Sequence, residues 1–168
     1  MVDARYWLGF NLIPGIGPAR VRRLLAYFGN PEVAWQASAP NLSAAGLDNK
    51  AVELIVAKRG RIDLAREMER VERAGVSIIT LEDGAYPSLL RHAADAPPLL
   101  YVRGDLRTTD ELSLAVVGTR RASVYGKSVC EQLVREVAGR GVTIVSGLAR
   151  GIDAVAHRAT LAAGGRTI

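Results

Sequence analysis

An apolar run that ends in a glycine, then cations and hydroxyls, then the start of an amphipathic segment, constrains this chain more than any other feature. Leu114 to Gly126 reads LAVVGTRRASVYG. Leu114 to Val117 favour a strand, Gly118 turns the chain, and Lys127 to Arg140 continue as a helix with Val129, Leu133 and Val137 on one face. Gly141 ends that helix, and a second unit of the same order follows. Val142 to Val145 read as a strand, Ser146-Gly147 as a turn, and Ile152 to Ala163 as a helix with Ile152, Val155, Ala156 and Ala159 inward. Gly164-Gly165 stop it, and Arg166-Thr167-Ile168 begin another strand. Such alternation implies an α/β fold with a parallel sheet and right-handed crossovers.

Upstream the periodicity is different. Pro14-Gly15-Ile16-Gly17-Pro18 forces a turn, and Val21, Leu24, Leu25 and Phe28 follow at helical spacing until Gly29-Asn30-Pro31. Further helical turns are expected near Val33 to Trp35 and Leu42 to Leu47. Asp48 is the expected N-cap of a helix carrying Val52, Ile55 and Val56, and Leu64, Met68 and Val71 mark one more stripe. After Gly75, VSIITL (Val76 to Leu81) and Leu99 to Val102 read as strands, with a short helical piece through Leu89-Leu90 between them. The expected organisation is a helical domain over residues 1–65 and an α/β domain over residues 66–168, with the sheet cut short where its alternation should continue.

Composition removes several function classes. No apolar stretch reaches the roughly 18 residues that span a bilayer, so no membrane partner is expected. Cys130 is the only cysteine, which excludes an internal disulfide and suits a reducing cytoplasm. Two histidines and one scattered cysteine are too few for a zinc site, and neither metal nor cofactor is expected. The net charge of +5 is concentrated: residues 119–168 hold eight Arg or Lys against three acids, while the first 118 residues balance. That asymmetry fits either a polyanionic partner or a solvated basic face.

The chemistry at the first turn favours a phosphate. Helix N-terminal amides carry partial positive charge, Thr119 and Ser123 can donate, and an arginine such as Arg120 grips phosphate bidentately. The alternative is a plain strand-to-helix turn capped by Ser123. A dinucleotide fold fits poorly, because Gly118 lacks the second glycine of GxGxxG and Ser146-Gly147 stands where a ribose-binding acid belongs. No Walker lysine is present. The second loop, SGLARGID (Ser146 to Asp153), emerges at the same sheet edge with Gly147, Arg150 and Gly151, and two such loops suit a backbone of several phosphates. Asp153 and His157, four apart, are expected to cap and orient. The candidate binding residues are therefore Gly118, Thr119, Arg120, Arg121, Ser123, Gly126, Lys127, Ser146, Gly147, Arg150 and Gly151. Tyr125 is the one aromatic placed to stack on a base. In LIPGIGPARVRRLL (Leu12 to Leu25), the hairpin amides around Gly15 and Gly17 can grip a phosphate in helix-hairpin-helix fashion, or the hairpin can be a packing turn. A nucleotide hydrolase of the Rossmann-like phosphoribohydrolase type would need paired carboxylates at the glycine loop, and Asp153 is the only acid in either loop.

VGTRRASVYG, GVTIVSGLARGIDAVAH and GGRTI, in that order, resemble the DNA-processing protein A family, also called DprA or Smf. DGAYPSLLRHAADAPPLLYVRGD resembles that family's approach to its nucleotide-binding-like domain, and the N-terminal helices are similar to its SAM-like or helix-hairpin-helix domain. The resemblance covers essentially the whole chain. It implies an extended Rossmann-like domain that binds single-stranded DNA without being an enzyme. The implied role is that of a recombination mediator in natural transformation, which protects incoming strands and helps load the RecA recombinase. It implies a homodimer for the full-length protein and carries the phosphate-binding arginine onto Arg120. Thr119 stands where many members have serine, a change of hydroxyl only.

Overall fold

The computed structural model describes residues 3–168. They form two compact units, one ending at Leu106 and the other spanning Arg107–Ile168.

The first unit opens with six helices: α1 (Ala4–Leu12), α2 (Pro18–Phe28), α3 (Pro31–Gln36), α4 (Ala39–Ala44), α5 (Asn49–Arg59) and α6 (Leu64–Arg73). Local chemistry sets their starts. The side chains of Asp3, Asn30, Ser38, Asp48 and Asp63 accept backbone amides at the N-caps of α1, α3, α4, α5 and α6, worth about 1 kcal/mol each. Gly29 ends α2 in the left-handed conformation at φ 67°. Trp7, Phe10, Leu24, Leu42 and Ile55 are buried together, and the rings of Phe10 and Trp35 meet edge to face at 5.1 Å.

Strands β1 (Ser77–Thr80) and β2 (Leu99–Val102) belong to this same unit and pair antiparallel, with Ser77 opposite Val102. The expected boundary at 65/66, and the inclusion of both strands in one alternating parallel unit, are therefore corrected. The connection holds only the four-residue helix α7 (Ser88–Arg91) and is tied back on itself. Asp83 accepts from the amide and hydroxyl of Thr80, and Tyr86 donates to the Pro97 carbonyl at 2.9 Å. This return brings β2 back antiparallel. Leu99 joins the helical core, and Asn11 donates to the Tyr101 hydroxyl.

The second unit is α/β. A 3-10 turn (Thr108–Glu111) leads into β3 (Ser113–Ala115), α8 (Val124–Gly139), β4 (Thr143–Val145) and α9 (Ile152–Ala162). β3 and β4 pair in parallel, with Leu114 opposite Ile144. Thr167 bridges Ile144 in parallel on the other side, and Ile168 donates to the Ile144 carbonyl at 2.8 Å. The strand expected from Arg166 onward thus lies where the alternation puts it, with β4 in the middle. Cys130, Val134, Ala138, Ile144, Val155, Ala156 and Ala159 form the core beneath the helices. Asp110 locks the unit from one corner. It takes Arg166 as an ion pair, the Thr143 hydroxyl at 3.1 Å and the Arg107 amide at 2.8 Å.

Candidate nucleic-acid interface

Helix α8 starts at Val124, three residues before the expected Lys127, because Ser123 caps it by accepting the Gly126 amide at 3.1 Å. Gly126 and Lys127 therefore sit in its first turn. Ser123 acts as the cap that the plain-turn alternative requires, and its hydroxyl proton remains available to a ligand. Thr119 accepts the Arg121 amide at 3.2 Å, which tightens the turn after Gly118.

The two glycine loops are in direct contact. The Ile152 amide donates to the Thr119 carbonyl at 3.3 Å. A Cβ on Gly118 would lie 2.7 Å from the Ile152 side chain, and one on Gly151 would lie 2.2 Å from the Thr119 carbonyl oxygen. Gly151 also sits at φ 88°, ψ −129°, a region open essentially to glycine alone. These glycines are what let the loops close on each other, and so bring the Arg120 and Arg150 segments side by side.

Charge is distributed unevenly over this unit. Arg135 pairs with Glu131, Arg140 with Glu136 and Arg166 with Asp110, all away from the two loops. Among the described residues of this unit, Arg120, Arg121, Lys127 and Arg150 at the loops, and Arg158 on α9, have no carboxylate partner, and all five are exposed. Asp153 is the acid closest to them in sequence. It is buried, and its carboxylate turns onto the Ala149 amide at 3.4 Å and lies against Gly147, where a Cβ would come within 3.0 Å. The same carboxylate, after burial itself, helps hold the Cys130 thiol above its ordinary value.

Other candidates take structural parts. Ser146 donates its hydroxyl to the Val116 carbonyl at 2.6 Å, joining the ends of β3 and β4, so it has no side-chain proton to offer an anion. His157 hydrogen-bonds Thr167 at 2.7 Å rather than Asp153. Thr167 in turn donates to the Ile144 carbonyl, so the His157 ring donates through Nδ1. In the helical unit, Gly15 adopts φ 88° and Gly17 caps α2 without a side chain. Arg20 donates to the Gly15 carbonyl and pairs with Asp48 at 2.6 Å, while Arg23 donates to the Gly46 carbonyl at 3.1 Å. These arginines hold the hairpin in shape, and the Ile16 amide is spent inside it on the Ile13 carbonyl at 3.1 Å.

Besides Tyr125, the stacking candidate, three further apolar side chains are exposed after β3, after β4 and at the start of α8. Val117, Val124, Tyr125 and Leu148 are 77%, 86%, 79% and 82% exposed. Leu148 has φ 53°, the only non-glycine residue at positive φ among the described residues. Its one signal in the sequence is an apolar residue inside a glycine-arginine loop. Among the described residues, no group of three or more His, Cys, Asp or Glu is placed to hold a metal, and no helix is long and apolar enough to cross a membrane.

The family model for DNA recombination-mediator protein A matches residues 77–168. Protein Smf of Synechocystis is 33% identical over 171 residues, covering 99% of this chain and 43% of that protein. The DNA processing protein DprA of Streptococcus pneumoniae is 42% identical over 86 residues, 51% of this chain and 30% of its own length. The chain thus spans less than half the length of these curated relatives. The X-ray structure of DNA processing protein A (DprA) from Streptococcus pneumoniae superposes with a TM-score of 0.78 at 27% identity, covering 99% of this chain and 57% of that one.

Proposed function

The chain belongs to the DNA recombination-mediator protein A family, and on that premise we propose that its second unit binds the sugar–phosphate backbone of single-stranded DNA. Arg120 and Arg150 serve as bidentate phosphate donors. Arg121 and Lys127 add cations, and Thr119, Ser123 and the loop amides around Gly118, Gly147 and Gly151 complete the groove. The hairpin amides at Gly15 and Gly17 are a further phosphate contact in this reading. The proposal extends to the whole protein: a homodimer with an extended Rossmann-like domain and a SAM-like helical domain, which shields the bound strand and helps load the RecA recombinase onto it. The role is one of binding, without a catalytic step or cofactor.

The observation that carries this reading is the contact of the two loops, Ile152 amide on Thr119 carbonyl, with three exposed arginines at them and no carboxylate paired to any. A phosphoribohydrolase-type reaction needs two carboxylates in play, whereas the loops carry Asp153 alone, turned onto its own loop amide. That the Streptococcus pneumoniae relative is a DNA processing protein supports the same direction.

Fluorescence anisotropy with a labelled oligonucleotide tests it. A charged hydrogen bond contributes roughly 1.5–3 kcal/mol, so Arg120→Ala should weaken binding about tenfold or more, whatever the base sequence. Equal affinity of the two proteins would refute the assigned site.

A further inference from the structure

The exposed apolar side chains beside the loop cations bury little of their own surface. Leu148 is 82% exposed, so it contributes little to a core, and it holds a backbone conformation that a glycine would take without strain. It belongs to the loop whose Gly151 rests on Thr119 and Arg120, two residues before Arg150. Val117 ends the run from β3 just before Gly118, and Tyr125 stands in the first turn of α8. Apolar and cationic side chains are thus interleaved at one edge of the sheet.

A leucine at positive φ, bare to water and two residues before an exposed arginine without a carboxylate partner, is a poor choice for stability, and its surroundings specify what would cover it. Phosphates satisfy the arginines but offer nothing to Leu148. A nucleobase freed from pairing offers an apolar face attached to the same backbone. A duplex presents its phosphates outward and keeps its base faces stacked inside. We infer that Leu148, with Tyr125 and Val117 beside the same loops, contacts unpaired bases, and that this contact makes the groove select strands whose bases are exposed. The inference rests on the backbone-binding reading above and adds a selecting residue to it.

The test compares two labelled probes of equal length and charge, an oligothymidylate and an abasic strand, on the 168-residue chain and its Leu148→Gly and Leu148→Ala variants. The native protein is expected to bind the thymidylate about five- to tenfold more tightly than the abasic strand, in the range for base contacts. Leu148→Gly should lose most of that ratio, keep its affinity for the abasic strand, and melt no lower than the native protein, because the backbone strain is relieved. Leu148→Ala should lose the ratio while keeping the strain. A ratio unchanged in both variants overturns the inference and leaves the phosphate groove standing. Failure of the native protein to bind either strand overturns the phosphate reading and this inference with it.

Discussion

Replacing Asp110 with asparagine should weaken the second unit by an amount the structure allows to be worked out. The carboxylate takes the Arg166 guanidinium, the Thr143 hydroxyl and the Arg107 amide, and its side chain is only 11% exposed. The Arg166 hydrogen bond, foremost, holds its pKa down from 3.8 to about 2. At about 1.36 kcal/mol per pH unit, that difference amounts to ~2.4 kcal/mol favouring the folded state at neutral pH. The Arg166 side chain is 25% exposed, and solvent screening brings the expectation to roughly 1–2 kcal/mol. Because the folded-state pKa is the lower one, this stability is fully present above pH 3.8 and is lost as pH falls toward about 2. Urea unfolding followed by circular dichroism, with hydrogen exchange read on β4 peptides, should show Asp110→Asn less stable at pH 7. The gap between the two proteins should close progressively below pH 4. Equal stability at pH 7, or a gap that stays constant down to pH 2.5, would refute the assignment of Asp110 as the charged clamp of this unit.

Two glycines at positive φ, one in the second loop and one after α9, should respond differently to a Cβ. Gly151→Ala places a Cβ 2.2 Å from the Thr119 carbonyl oxygen in a region that costs other residues about 1–3 kcal/mol. It should therefore destabilise the unit by roughly 3 kcal/mol or more in urea unfolding and separate the loops. Gly164→Ala, at φ 70° with nothing within 4 Å, should lose only about 1–2 kcal/mol. Cys130 is buried, and burial, then Asp153, raises its thiol pKa. It should react slowly with iodoacetamide at pH 8 in the native protein and quickly in urea; rapid native labelling would contradict that burial.

The strand–turn–helix units were legible because their signals are local. Period-two and period-3.6 apolar spacing, punctuated by Gly118, Gly141, Gly147 and Gly164, positioned β3, α8, β4 and α9 within a few residues. The caps at Asp48 and Ser123 are equally local, and the Ser123 cap draws Gly126 into the first turn of α8 rather than leaving it in the preceding loop. The partner of a strand is not local information. The runs at residues 76–81 and 99–102 identify themselves as strands, yet their antiparallel pairing depends on the return tied by Asp83 and Tyr86 and on Leu99 joining the helical core. Within the site, the placement of the two loops at one sheet edge was expected from the alternation, whereas their direct contact, Ile152 amide on Thr119 carbonyl, was not. The roles of its hydroxyls were not, since Ser146 bonds a carbonyl on the neighbouring strand. The left-handed backbone of Leu148 has no sequence signature beyond an apolar residue inside a glycine-arginine loop.

If the two loops form one backbone-binding groove, the salt dependence of binding reports it. Each phosphate neutralised on a single strand contributes about 0.7 to the slope of log affinity against log salt concentration. Measured on an oligothymidylate, Arg120→Ala and Arg150→Ala should each lower that slope by about 0.7, and the double variant by about 1.4. Slopes equal to that of the unmodified protein in both single variants would contradict such a groove.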